Sequence, residues 1–257
     1  MTYFLKNLKN KFDFFLRNNI TFSRKNYIET PCSLNDINFS LKQKEFYQRL
    51  TEKYDCTLFD RLNTRNFLEN LYFLNIFDKY FSNKSCTEIS VLDIGSKNWS
   101  YVRSEYLFFS SISSNVHLDG IELDAYRLNC NFFSRYEIAQ FYKNNLPNTE
   151  YYAGDFLEHK QKYDRIIWIL PFITEYPLIK WGLPLKYFEP DKMLLHAYNM
   201  LNKGGELLIV NQGESEAEIQ RDLLQKNNIP VSASFEEAED VFELFKNKRF
   251  CFKTEKP

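Results

Sequence analysis

Two kinds of apolar patterning divide the chain. At the start, Tyr3, Phe4, Leu8, Phe12, Phe15 and Leu16 recur at three- and four-residue steps, the stripe of an amphipathic helix. Such a helix is expected to pack on the core through its phenylalanines and leave a solvated basic face. A second helix is predicted over 41–54. A third covers 63–81, with Phe67, Leu68, Leu71, Tyr72, Leu74 and Phe77 at helical spacing. Pro31, among Thr30, Ser33 and Asn35, marks a break between the first two. From Thr87 onward, short apolar runs alternate with helical periods. The runs are EISVLDIG, HLDGIEL, EYYAG, DRIIWIL and ELLIVN, and the helix-like stretches cover 102–112, 124–144, 191–201 and 216–227. Apolar strands alternating with helices predict a parallel sheet covered on both faces. The ending differs: PVSASFEE is followed by RFCFKTEK, an alternating strand that fits an edge position. The predicted fold is doubly wound α/β, residues 86–257, preceded by a helical extension over residues 1–85.

Glycine usage supports that division, because all seven glycines lie between Gly95 and Gly213. With 44% hydrophobic and 26% charged residues, disorder is excluded as the main state. A formal charge of −1 disfavours a globally basic nucleic-acid binder. The local cluster Lys6, Lys9, Lys11 and Arg17, opposed by Asp13 alone, leaves open a patch for phosphate or an anionic membrane surface. Cys32, Cys56, Cys86, Cys130 and Cys251 are scattered, with no metal-ligand spacing to the histidines. They read as reduced, small buried groups of a soluble cytoplasmic protein, and no metal is expected. The uncharged apolar run 166–174 is about half of a membrane span. The first residues lack the continuous apolar stretch of a signal peptide.

Ligands of open α/β sheets bind at the carboxyl ends of the strands, so candidate chemistry lies at the strand tips. Asp93 and Gly95 end the first run, at a strand-to-helix turn where backbone can approach an anion. Glu122 ends the second, where a carboxylate can accept from two ribose hydroxyls. Asp155 and Phe156 follow the third, a carboxylate for an exocyclic amine beside an aromatic ring. Leu170, Pro171 and Phe172 follow the fourth. The turn Leu201-Asn202-Lys203-Gly204-Gly205 is expected to end a helix with glycine before the fifth.

This ordered set, over roughly residues 87–257, resembles the class I S-adenosylmethionine-dependent methyltransferases. The resemblance implies a mostly parallel seven-stranded sheet whose last strand, RFCFKTEK, is antiparallel. It also implies S-adenosylmethionine as cofactor and S-adenosylhomocysteine as product. Asp93, Gly95 and Ser96 would face the methionine part, Glu122 the ribose, and Asp155 with Phe156 the adenine. The chain departs from the family's GxGxG turn, which reads Gly95-Ser96-Lys97-Asn98-Trp99 here. Lys97 and Trp99 either block close approach, or Lys97 pairs with the cofactor's carboxylate. The fourth tip lacks the Asn/Asp-Pro-Pro-Tyr/Phe sequence of amide and base N-methyltransferases, since Leu170 cannot accept from an NH₂ group.

Bland alternatives stand beside these assignments. Glu122 and Asp124 would also fit a solvated loop, and Asp155 a helix cap. Trp99, Trp168 and Trp181 fit core or pocket wall. Trp181 lies in EYPLIKWGLPLKYFEP, whose three prolines after the fourth run suggest a substrate lid. Glu175 and Tyr176 open that segment and are the candidates for a proton acceptor. His117 and His196 read as structural, and His159 stays open as a site residue. The leading expectation is a methyltransferase of a small molecule with an apolar or aromatic part. Its rivals are a methyltransferase-like scaffold without catalysis, a nucleic-acid methyltransferase using the basic helix, and, more distantly, a nicotinamide oxidoreductase, for which GxGxxG is missing.

Overall fold

In the computed structural model of the chain the described residues are 3–20, 27–33 and 37–257, so Asn35 of the expected break lies outside them. Seven strands form one sheet: β1 (Cys86–Ile94), β2 (Ser113–Glu122), β3 (Thr149–Ala153), β4 (Tyr163–Ile169), β5 (Leu201–Gln212), β6 (Ala233–Ala238) and β7 (Arg249–Glu255). Their order is β3-β2-β1-β4-β5-β7-β6. β1 pairs in parallel with β2 and β4, whereas β7 runs antiparallel to both β5 and β6. The RFCFKTEK strand is therefore antiparallel as expected, but it lies inside the edge, with β6 beyond it.

Alternation along the strands builds two cores. Ile89, Val91, Ile167, Ile169, Leu208 and Val210 face one side; Leu92, Ile94, Ile166, Trp168, Leu207 and Ile209 face the other. A two-residue side-chain period sends neighbours to opposite faces, and continuous apolar runs supply both. The first side is covered by α3 (Thr64–Tyr80), α4 (Val102–Ile112) and α5 (Arg135–Lys143), with α2 (Leu41–Thr51) packed behind α3. The second is covered by α7 (Pro190–Met200) and α8 (Gly213–Lys226). α3 starts where Asn63 accepts a hydrogen bond from Asn66 N, 3.0 Å, and it buries Phe67, Leu71, Leu74 and Phe77.

Four expectations are corrected. The helix predicted over 124–144 forms only over α5. Residues 125–134 are instead turns closed by an isolated bridge between Leu128 and Ser134, and Ser134 restarts the helix with a capping box to Glu137. The Gly204-Gly205 turn does not end α7, which stops at Met200; Gly204, with φ 72°, sits within the irregular start of β5. Cys86 and Cys130 are exposed thiols, whereas Cys56 and Cys251 are buried. The largest correction concerns α1 (Tyr3–Asn19), which packs through Asn7, Asn10 and Arg17 with Phe14 as its one inward phenylalanine. Asn10 is its one buried residue, while Phe4, Leu8, Phe12 and Phe15 are 54–73% exposed. The partner of α1 is a segment rich in open backbone carbonyls, which amide and guanidinium groups satisfy and phenylalanine does not.

Candidate active site

β1 and β4 are the central pair from which strand order runs outward in both directions, and a crevice opens at their carboxyl ends. Gly95, Lys97, Glu122, Asp155, Phe156 and Leu170 line it together, from four different strand tips. Asp93 and Ser96 do not; both are fully buried below it.

The turn after β1 keeps a glycine-like backbone without the glycines. Gly95, Lys97 and Trp99 have φ of 71°, 55° and 53°. A left-handed conformation costs a side-chain-bearing residue about 1–2 kcal/mol. Beside Gly95 there is open space, with nothing within 4 Å of where a Cβ would stand. Trp99 points away from the cleft. Its indole is fully buried and donates from Nε1 to Glu105 Oε2, 2.9 Å. It lies against Gly120 in β2, where an added Cβ would come within 2.9 Å of the ring. Gly120 therefore makes room for Trp99, a role that a glycine in mid-strand signals in the sequence.

Glu122 is held rather than solvated. Its Oε2 accepts from Lys97 N at 2.9 Å, and its Oε1 accepts from Asp124 N at 2.8 Å and from Arg135 Nη1 at 3.0 Å. Both partners of the Glu122–Arg135 pair are buried. Arg135 was not singled out from sequence; its place in the first turn after the Ser134 cap, facing the carboxyl end of β2, is the available signal. The Lys97 ammonium forms no ion pair among the described residues, and burial lowers its pKa. It lies 5.2 Å from the centre of the Trp181 ring, with the Arg135 guanidinium 5.1 Å from that same ring. Asp155 lines the cleft and also accepts from Leu157 N at 3.0 Å, so the cap reading and the cleft position coexist.

Asp93 lies under the turn with Glu105. Burial pushes both carboxyls well above the usual range, although Tyr101 donates to Asp93 Oδ2 at 2.9 Å. Asp93 Oδ1 and Glu105 Oε1 meet no donor from any other described residue, and the two carboxyls hydrogen-bond to each other. A retained proton accounts for this, since an un-ionised carboxyl avoids the cost of a buried charge.

The segment after β4 forms α6 (Glu175–Lys180) and a 3₁₀ turn at 185–187, more ordered than the expected loop. Its Leu178, Trp181, Leu183 and Tyr187 line the cleft. Glu175 and Tyr176 do not, which removes them from contact with anything bound there. Tyr176 is 65% exposed, and Glu175 Oε2 accepts from the Tyr3 hydroxyl at 2.6 Å, which raises that tyrosine's pKa to about 12. α1 lies over this segment. Asn10 Nδ2 donates to Ile179 O and Leu183 O at 2.9 and 3.1 Å, and Leu185 N donates to Asn7 Oδ1 at 2.9 Å. Arg17 donates from Nε to Asp124 Oδ1 at 2.9 Å and from Nη2 to Gly182 O at 3.1 Å. Arg127 donates to Asp124 as well and to Trp181 O. Asp124, far from solvated, is the buried clasp between α1, the 125–134 turns and the lid segment.

The histidines stay outside the cleft lining. His159 Nε2 lies 2.7 Å from the Tyr163 hydroxyl, which donates to Asp119. His196 Nε2 is 2.8 Å from His159 O, and His117 pairs with Glu88. Among the described residues no cluster of His, Cys, Asp and Glu could hold a metal ion, and no helix is long and apolar enough to cross a membrane.

No family model and no curated protein matches the sequence. Solved structures do match it. An S-adenosylmethionine-dependent methyltransferase from Aquifex aeolicus is 14% identical, with 82% of this chain and 97% of that one covered at a TM-score of 0.51. The [4+2]-cyclase SpnF is 11% identical, covering 72% and 80%, at 0.50. TrmN from Thermus thermophilus is 14% identical at 0.45, and this chain spans 45% of its length. The fold is that of the class I methyltransferases. At these identities the likeness concerns the fold alone, and one neighbour with that fold is a [4+2]-cyclase.

Proposed function

We propose that the protein is an S-adenosylmethionine-dependent methyltransferase acting on a small molecule with an apolar or aromatic part. The observation that carries this reading is the convergence of Gly95, Lys97, Glu122 and Asp155 on one cleft at the switch point of the sheet. The residues fit the cofactor's parts. Lys97 is a half-buried ammonium with no ion-pair partner among the described residues, suited to a carboxylate. The open space beside Gly95 and Gly154 lets a ligand approach the backbone. Glu122, with three acceptor positions used of about four, retains room for a ribose hydroxyl. Asp155 has an oxygen to spare for an amine, and Phe156 walls the same end. The cofactor supplies a methyl group on a sulfonium.

The chain's own task is positioning, because in-line displacement depends on the alignment of donor and acceptor. The ring of Trp181 and the side chains of Phe172, Leu178 and Tyr187 offer an apolar wall for the acceptor. Ligand carboxylate reaching Lys97 has to share or displace Trp181, so the lid responds to binding. Titration calorimetry with S-adenosylmethionine and S-adenosylhomocysteine tests the reading, with tryptophan fluorescence followed in parallel. Micromolar binding, weakened roughly tenfold or more by Lys97→Met, is expected. Well-folded protein that binds neither ligand overturns it and leaves the non-catalytic scaffold in front.

A further inference from the structure

The outer face of α1 is a second functional surface, independent of the cleft. Phe4, Leu5, Leu8, Phe12, Phe15 and Leu16 occupy a continuous arc of about 120° when residues are placed at 100° steps around the helix. The first five of these are 50–73% exposed. Lys11 borders the arc on one side and Lys9 on the other. The orientation is built in, because the polar side is spent on Ile179 O, Leu183 O, Gly182 O and Asp124. Turning the phenylalanines inward would strip Leu183 O and Gly182 O of their donors.

Charge identifies the occupant. The chain as a whole carries −1, yet α1 and the adjoining α6 hold five cations against two carboxylates, and of the cations Arg17 alone is spent on a carboxylate elsewhere, Asp124. Both carboxylates are already engaged, Asp13 by Lys9 and Glu175 by the Tyr3 hydroxyl. Lys6, Lys11 and Lys180 form no ion pair among the described residues. A broad apolar arc of phenylalanine and leucine, edged by lysines, matches the boundary between acyl chains and anionic headgroups. A second copy of the chain would bring the same positive charge against itself.

We infer that α1 docks the protein in-plane on an anionic lipid bilayer, with Phe4, Leu8, Phe12 and Phe15 seated among the acyl chains and Lys9 and Lys11 at the headgroups. The test is sedimentation of the full chain with vesicles of phosphatidylcholine alone or mixed with phosphatidylglycerol, alongside light scattering without vesicles. The expected result is binding to the mixed vesicles that is roughly tenfold or more weaker on phosphatidylcholine alone and falls with added salt. Phe12→Glu with Phe15→Glu should abolish it at an unchanged melting temperature, since both side chains are exposed. Lys9→Gln with Lys11→Gln should weaken it several-fold. The inference is overturned if folded protein ignores the mixed vesicles, if both vesicle types bind equally, or if the double glutamate variant still binds. It is equally overturned if the chain instead forms a dimer that this variant splits. None of these readings depends on cofactor binding.

Discussion

α1 and α3 are both 17 residues long and both are rich in phenylalanine, leucine and asparagine, yet they are packed in opposite senses. α3 buries nine residues, Phe67, Leu71 and Phe77 among them, and its Asn70 bridges buried backbone at Asn66 O and Ser100 O. α1 buries Asn10 and turns Phe4, Phe12 and Phe15 outward, with Phe14 alone of its phenylalanines packed inward on Tyr187. The difference lies in what each helix meets. α3 meets β1 and α4, whose apolar side chains cover satisfied backbone. α1 meets the end of α6 and the residues after it, where Gly182 O and Leu183 O accept from Arg17 and Asn10. An apolar stripe reports that a helix has two unlike faces, but the neighbour decides which of them is covered.

The sharpest way to break this comparison is to remove one ring from each helix. Phe77→Ala in α3 should cost about 3–5 kcal/mol of unfolding free energy, whereas Phe12→Ala in α1 should change it by less than about 0.5 kcal/mol. Chemical denaturation reads both, and equal costs would contradict the burial described. A smaller effect sharpens the polar seam. Asn10→Leu leaves Leu183 O without its donor and Ile179 O with Gly182 N alone, at about 1–3 kcal/mol. That loss should show as faster hydrogen exchange in residues 3–19 and 175–188 with little change in the sheet; uniform loss of protection would argue against a separable roof.

The smallest expected effect concerns the carboxyl pair beneath the core that α3 covers, where Tyr101 packs on Phe73. Asp93 has a folded pKa raised by burial above its unfolded value near 3.8. Its contribution is therefore fully present below that value and is lost as pH rises through the folded pKa. Asp93→Asn removes this dependence. Relative to the variant, the natural chain should lose melting temperature as pH rises from about 5 to neutrality. A constant gap across that range would mean that Asp93 keeps no proton.

Much of the sheet was legible because its signals are local. Runs such as DRIIWIL and ELLIVN are too apolar for anything but a strand covered on both faces, and α3 and α4 fall within a residue or two of their periodic stretches. Tip residues were legible for the same reason: Gly95, Glu122 and Asp155 follow strands, and parallel strands bring their ends together. Asp93 and Ser96 lie below the cleft lining because one residue of strand phase separates the cleft from the core beneath it. Arg135 and Gly120 carry no motif; their roles arise from Glu122 and Trp99, distant in sequence and adjacent in space. Glu175 was chosen by its place after a strand, but its side chain serves Tyr3 of α1.

By itself, then, the amino-acid order determined the parallel sheet, the helices around it and the set of strand tips that meet at its switch point, since hydrophobic period and turn chemistry act over a few residues. Only the tertiary structure decided that Trp99 folds into the space left by Gly120, that Arg17 and Arg127 close on Asp124 to fasten the roof, and that α1 shows its apolar face to the outside. Those choices depend on which carbonyls, charges and cavities long-range folding leaves unmatched, and no window of local sequence contains that information.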